Sequence, residues 1–169
     1  ALRTVSEAIE PIKERMSVTW IMDRGFDDVA VFDTIWDQGE HIVCRVSHTE
    51  RIVECKNESG RYRECMIAHI DREFRDLAVV ETQMLVRLKS QARAKMQPVK
   101  AVIQACEIRL NYRPKTRNVN RGEKTAKTLW LVRIDLPDTD LEPLLVLTDW
   151  PVVDHENALK ICRMYRQRW

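Results

Sequence analysis

Residues 17 to 46 constrain the fold more than any other part of the chain. Ser17-Val-Thr-Trp-Ile-Met22 is an apolar run ended by Asp23-Arg24-Gly25, which reads as a buried strand meeting a loop. After Gly25, Asp27 or Asp28 can cap a helix in which Val29, Phe32, Ile35 and Trp36 share a face and which Gly39 ends. Residues 40 to 46, Glu-His-Ile-Val-Cys-Arg-Val, then read as a second strand. Ahead of these, Val5, Ala8, Ile9 and Ile12 have helical spacing behind Ser6 as N-cap, with Pro11 kinking or shortening that helix. Helix, strand, helix, strand is the alternation of an α/β layer, so the strand ending at Asp23 should run parallel to the next.

From about residue 49 the periodicity changes from helical to alternating. Arg51-Ile-Val-Glu-Cys55 reads as a strand and Lys56 to Gly60 as a turn, while residues 64 to 79 fit either state. Met84, Val86 and Leu88 alternate with polar partners, as do Val99, Ala101 and Ile103, and then Cys106, Ile108 and Leu110. The offset between 103 and 106 predicts a bulge. Arg113 to Lys127 is a polar, basic loop around Gly122, followed by a strand to Ile134. Leu144 to Thr148 is again a continuous apolar strand; Asp149-Trp-Pro-Val is a turn, and Asp154 caps a helix burying Ala158, Ile161, Cys162, Tyr165 and Trp169 on one face. The predicted class is α/β, with a mostly antiparallel β-rich unit (49–140) inserted between α/β segments (1–48 and 141–169).

Charge is divided unevenly. The chain of 169 residues has a net charge of +2, yet residues 1 to 50 carry five Lys/Arg against ten Asp/Glu, and residues 87 to 133 carry thirteen against two. A basic middle of this density fits a polyanion such as DNA. No run approaches the roughly 18 apolar residues of a membrane span, and the opening residues lack the apolar core of a signal peptide. A cytoplasmic protein is expected. The five cysteines are widely spaced with no C-x-x-C pair, so they are expected to be reduced, structural thiols. His41, His48, His69 and His155 show no ligand spacing, and Trp20, Trp36, Trp130 and Trp150 read as packing residues.

Asp23 is the leading candidate for chemistry. A strand end fixes a carboxylate while the following loop leaves room for a metal ion or substrate. Three features occur in order: the strand-end Asp in Asp23-Arg-Gly-Phe-Asp27, the basic β-rich insertion, and a closing helix that ends Tyr165-Arg-Gln-Arg-Trp169. Together they resemble the DDE transposases of bacterial insertion sequences, the cut-and-paste type with a ribonuclease H-like catalytic core. There the second catalytic Asp stands at a strand end in a D-R-G-[FY] context, and the catalytic Glu lies on a helix with the pattern Y-x2-R-x3-E-x6-K. Leu147-Thr-Asp-Trp-Pro-Val152 and Glu156-Asn-Ala-Leu159 look like the approach to that helix. The resemblance is strong over 17–46 and 144–169 and weak through the insertion.

The resemblance implies that Asp23 is the second catalytic carboxylate and a ligand of one or both of two Mg²⁺ or Mn²⁺ ions. It implies that Tyr165 and Arg168 contact transposon-end phosphates. Arg24 next to the site, and Lys115, Arg117, Arg121 and Lys124 in the basic loop, are the remaining candidate DNA contacts. The partners implied are double-stranded DNA, as transposon ends and target, and a second copy of the protein on paired ends. The first catalytic Asp is expected ahead of residue 1 and the Glu three residues beyond Trp169, so this chain by itself is expected to bind metal weakly and cut nothing. Two rivals stand beside this reading. One is a non-catalytic DNA-binding or assembly protein derived from a transposase. The other is a phosphatase using a strand-end Asp, for which the D-x-D-x-[TV] pattern is absent. Taken alone, Asp27 and Asp28 read as helix caps rather than ligands.

Overall fold

The computed structural model describes residues 2–13, 16–56, 59–70, 75–86, 95–112, 125–139 and 141–167, with backbone only at 2, 3, 6 and 12 and over 75–86 and 95–98. It is an α/β fold built on one mixed sheet. The strands are β1 (Thr19–Met22), β2 (His41–Arg45), β3 (Ile52–Lys56), β4 (Tyr62–Met66), β5 (Arg75–Val86), β6 (Lys95–Tyr112), β7 (Thr125–Asp135) and β8 (Leu144–Thr148). Their order is β1-β2-β8-β7-β6-β3-β4, with β5 also paired to β6. β1 and β2 are parallel, as their α/β spacing predicts, and the remaining ladders are antiparallel. Hydrogen bonds therefore run without a break from the opening strands through β8 into the β-rich middle.

Cross-strand rows show how the pleat sorts side chains between two cores. Met22, Cys44, Leu147, Leu131 and Cys106 form one row, and all are buried on the face covered by helix α3 (Val29–Trp36) and the short turn Ile67–His69. One residue along, Ile21, Val43, Trp130, Ala105 and Val146 point to the opposite face, where helix α4 (His155–Arg166) packs through Ala158, Ile161, Cys162 and Tyr165. Phe32 and Ile35 are the α3 residues that close the first core. Gly39, at φ 69°, ends the turn after α3 in the left-handed region that a β-carbon disfavours.

The local readings fare unevenly. Asp28 and Asp154 are the N-caps of α3 and α4, accepting from Ala30 N and Asn157 N at 2.8 Å each. Ser6 does not start a helix: it lies inside α1 (Leu2–Ala8), and a second short helix, α2 (Glu10–Lys13), follows. The break falls where Pro11, lacking an N–H, cannot continue the ladder. The predicted bulge at 103–106 is also absent from β6, whose register with β7 is unbroken from Val102 to Tyr112. Ala101, Ile103 and Ala105 face the α4 core, and Cys106, Ile108 and Leu110 face the α3 core. The offset records a change of buried face along one strand, and the irregularity lies opposite, in β5 between Asp76 and Ala78. The cysteine expectation fails for one pair: Cys55 and Cys65 form a disulfide across the β3–β4 hairpin. Cys44, Cys106 and Cys162 are free and buried.

Candidate functional site

Asp23 leaves β1 at its C-terminal end and starts a tight turn over Arg24–Phe26. Its backbone is extended (φ −92°, ψ 176°), and its Oδ1 accepts from Arg24 N at 2.8 Å. Phe26 N donates to the Asp23 carbonyl at 2.9 Å, closing the turn. A β-carbon at Gly25 would meet nothing within 4 Å apart from its chain neighbours, and Arg24, Gly25 and Phe26 are exposed, so the turn lies on the surface. Carboxyl ends of parallel strands in open α/β sheets are where ligands bind, because the connecting loops diverge there.

Asp27, expected as a helix cap, does something else. It is 2% exposed, and its carboxylate accepts from Ser47 N at 2.7 Å, His48 N at 2.9 Å and the Arg51 guanidinium at 2.6 Å. Arg51 also donates to the Asp27 carbonyl at 3.0 Å, and Ser47 Oγ donates to the Arg24 carbonyl at 3.1 Å. The loop bearing Asp23 is thus pinned to the segment that leaves β2. Sequence reasoning missed this clamp because its partners lie 20 to 24 residues away with no local spacing to betray them.

The other candidates fall in different places. Arg24 is exposed beside Asp23. Tyr165 is 3% exposed and packs in the α4 core. α4 rests on Ala101, Ile103 and Ala105, which lie level with or beyond Arg45 along the ladder. Val43, Trp130 and Trp150 belong to the same core and Lys160 lies against Trp150, so α4 spans this face from the His41 end to the level of Asp23. Arg168, Lys115, Arg117, Arg121 and Lys124 lie outside the described residues. Of the basic side chains described in segment 87–133, three have intramolecular partners. Arg109 lies 3.6 Å over the Tyr62 ring, Lys127 lies 5.0 Å over Trp36, and Arg133 pairs with Asp135 at 2.8 Å. Tyr62 donates to Glu107, and burial first, then that bond, pushes its phenol up.

Tyr112 and Thr125, which flank the basic stretch 113–124, lie six residues along β6 from the row of Met22 and Cys106, about 20 Å in the direction away from Asp23. At the N-terminal end of β2, three residues from Cys44, Asp149, with a side chain 6% exposed, accepts from Ile42 N at 2.8 Å and pairs with His41 Nδ1 at 3.0 Å. The His41 ring lies 4.0 Å from that of Trp150, whose Nε1 donates to Thr19 Oγ1 at 3.0 Å, and Lys160 sits 4.3 Å over the same indole. Asp149 and Trp150 read in sequence as a turn, and His41 carries no ligand spacing, so nothing local signalled their meeting.

No protein-family model matches the chain, and no curated protein matches it. The site has to be judged on its own chemistry. Among the described residues there is no group of three or more His, Cys, Asp or Glu that could hold a metal ion. Asp23 is an oxygen donor of the kind Mg²⁺ and Mn²⁺ prefer, but the oxygens of Asp27 are engaged and Asp28 caps α3. One carboxylate does not make a two-ion site. Nor is there a thiol nucleophile: the three free cysteines are buried, and burial pushes the Cys162 thiol up. No helix among the described residues is long and apolar enough to cross a membrane.

Proposed function

We propose that the chain is part of the catalytic core of a DDE transposase with a ribonuclease H-like fold, whose parent protein binds transposon-end DNA and cuts and joins phosphodiesters with Mg²⁺ or Mn²⁺. The observation that carries this reading is the placement of Asp23 at the C-terminal end of a parallel strand that lies on the edge of the sheet. Among the described strands β1 pairs with β2 alone. Its outer edge can accept a further strand, which would set a second carboxylate beside Asp23. α4 reaches the level of Asp23 on one face of the sheet, so a carboxylate carried on its continuation would approach from above.

In this reading Asp23 holds a share of the metal site, Arg24 meets a nearby phosphate, and the Asp27–Arg51 clamp keeps the Asp23 turn from moving. The bound ions would activate the attacking water or 3′-hydroxyl and neutralise the leaving oxygen. The chain's own part is to fix one oxygen ligand and to grip the phosphate backbone. The adjoining coding sequence tests this cheaply. The reading requires a Glu three residues beyond Trp169 and an upstream strand bearing an Asp; finding neither would remove it and leave a non-catalytic DNA-binding protein as the better account.

A further inference from the structure

The turn that carries Asp23 and the cross-linked hairpin β3–β4 are joined through Arg51. This residue stands just before β3, and its guanidinium donates to the Asp27 carboxylate at 2.6 Å and to the Asp27 carbonyl at 3.0 Å. The hairpin closes onto the same segment: just past β4, Ile67 N donates to the Arg51 carbonyl at 3.1 Å and Ala68 N to the Thr49 carbonyl at 2.9 Å. Asp27 in turn accepts from Ser47 N and His48 N, so the places of Arg51 and of the Asp23 turn are set together. β4 itself is thinly held. Among the described strands it pairs with β3 alone, and the ladder from β3 to β6 is two pairs long, Glu54 with Arg109 and Cys55 with Ile108. β3 gives Val53 and Cys55 to the α3 core, whereas β4 gives it only the half-buried Cys65. Tyr62, which donates to Glu107, is the other side chain tying β4 to β6. A two-stranded ribbon is marginal by itself in water. The Cys55–Cys65 bond runs diagonally across this one, from the residue opposite Arg63 to the residue opposite Val53. The other three cysteines are free and buried, so this cross-link stands alone.

We infer that the Cys55–Cys65 bond is a thiol-operated latch on the Asp23 turn. Oxidised, it fixes the hairpin and keeps Arg51 on Asp27; reduced, it lets β4 and the 49–51 segment open and so frees the turn. The latch stands on the contacts of Arg51 and the hairpin, and it takes only its functional meaning, control of a metal-binding carboxylate, from the reading above. The reductant is a low-molecular-weight thiol. Its thiolate attacks the sulfur of Cys65, the less buried partner, forming a mixed disulfide and releasing Cys55 as a thiolate that takes up a proton. A second thiol then displaces the first from Cys65, leaving two protein thiols and one small-molecule disulfide. Oxidation by that disulfide reverses both steps, since the two cysteines remain on one short hairpin.

The test is amide hydrogen exchange, read by NMR on this chain after air oxidation and again after reduction with dithiothreitol. Ser47 N and His48 N report the Asp27 clamp directly. Reduction should speed exchange at both about tenfold or more, while Ala158 N in α4 stays within about twofold, because a cross-link over a short loop is lost and the opening is local. Oxidised glutathione should restore the slow rates. The double variant Cys55→Ala, Cys65→Ala should exchange fast at Ser47 and His48 with or without dithiothreitol; if it does not fold, the wild-type chain before and after reduction decides the matter alone. Equal rates at Ser47 and His48 in the two states, with the bond shown by mass to be present and then reduced, would overturn the latch and leave the transposase reading intact. Equal acceleration of every amide would make the bond a general staple and would overturn the latch as well, as would five thiols after air oxidation. Loss of the transposase reading through the adjoining coding sequence would leave the exchange result standing.

Discussion

Replacing Asp27 should cost this fold more than replacing any other single acidic residue described. Asp27→Ala strips the charge partner from Arg51, whose side chain is only 11% exposed, and leaves Ser47 N and His48 N without their acceptor. Breaking one side of a buried ion pair costs about 3 to 5 kcal/mol, and each orphaned donor about 1 to 3 more where water cannot reach it. These terms overlap, since a cavity at Asp27 would admit water to both amides, so a total of about 4 kcal/mol is the working figure. For a domain of this size that corresponds to a fall in Tm of about 8 to 16 °C. Urea unfolding followed by tryptophan fluorescence would measure it. Arg51→Met in the Asp27→Asn background should recover a large part of the loss, because the uncompensated charge is gone. A cost below about 1 kcal/mol for Asp27→Ala would refute the clamp and, with it, the claim that the Asp23 turn is held rigidly.

Two further outcomes follow from the same geometry. The Tyr112 phenol is pushed up to about 12 by burial first and by neighbouring Asp33 second. An unfolded tyrosine titrates near 10, so its contribution to stability is complete below about pH 10 and is lost as pH rises towards 12. Tyr112→Phe should flatten that alkaline loss, and a normal tyrosinate absorbance titration for Tyr112 would contradict it. The disulfide sets a thiol count: unfolded but unreduced protein should yield three reactive thiols and reduced protein five. Five thiols before reduction would remove the Cys55–Cys65 bond.

Which parts of the molecule were legible in sequence follows from the range of the forces involved. The strand ending at Met22, the cap at Asp28, the face of α3 and the cap at Asp154 all depend on neighbours within a few residues, and all could be read from spacing. The parallel pairing of β1 and β2 followed from the helix between them. By contrast, alternation in β6 was visible but its meaning was not: which face is buried depends on α3 covering one half and α4 the other. The same limit applies to Asp27. Its carboxylate has the local look of a cap, and only the approach of Ser47, His48 and Arg51 turns it into a clamp. The meeting of His41, Asp149 and Trp150 needs β2 and β8 side by side, a pairing of residues more than 100 apart.

The basic segment gives a related lesson. Its thirteen cations read as one patch along the chain, and the side chains of four of them, Lys100, Arg109, Lys127 and Arg133, are described. Arg109 and Lys127 lie against the rings of Tyr62 and Trp36, and Arg133 pairs with Asp135. A charge count along a sequence thus measures how much polyanion a chain could bind, while the ladder decides where.

The central claim is that Asp23 is a metal-binding carboxylate of a strand-transfer site. The direct measurement is strand cleavage of a duplex carrying the transposon end by the parent protein, with its adjoining segments included, compared with its Asp23→Asn variant at equal DNA occupancy. The account predicts Mg²⁺- or Mn²⁺-dependent cleavage in the parent and its loss in Asp23→Asn, with DNA affinity retained. Cleavage by Asp23→Asn at the parental rate would contradict it.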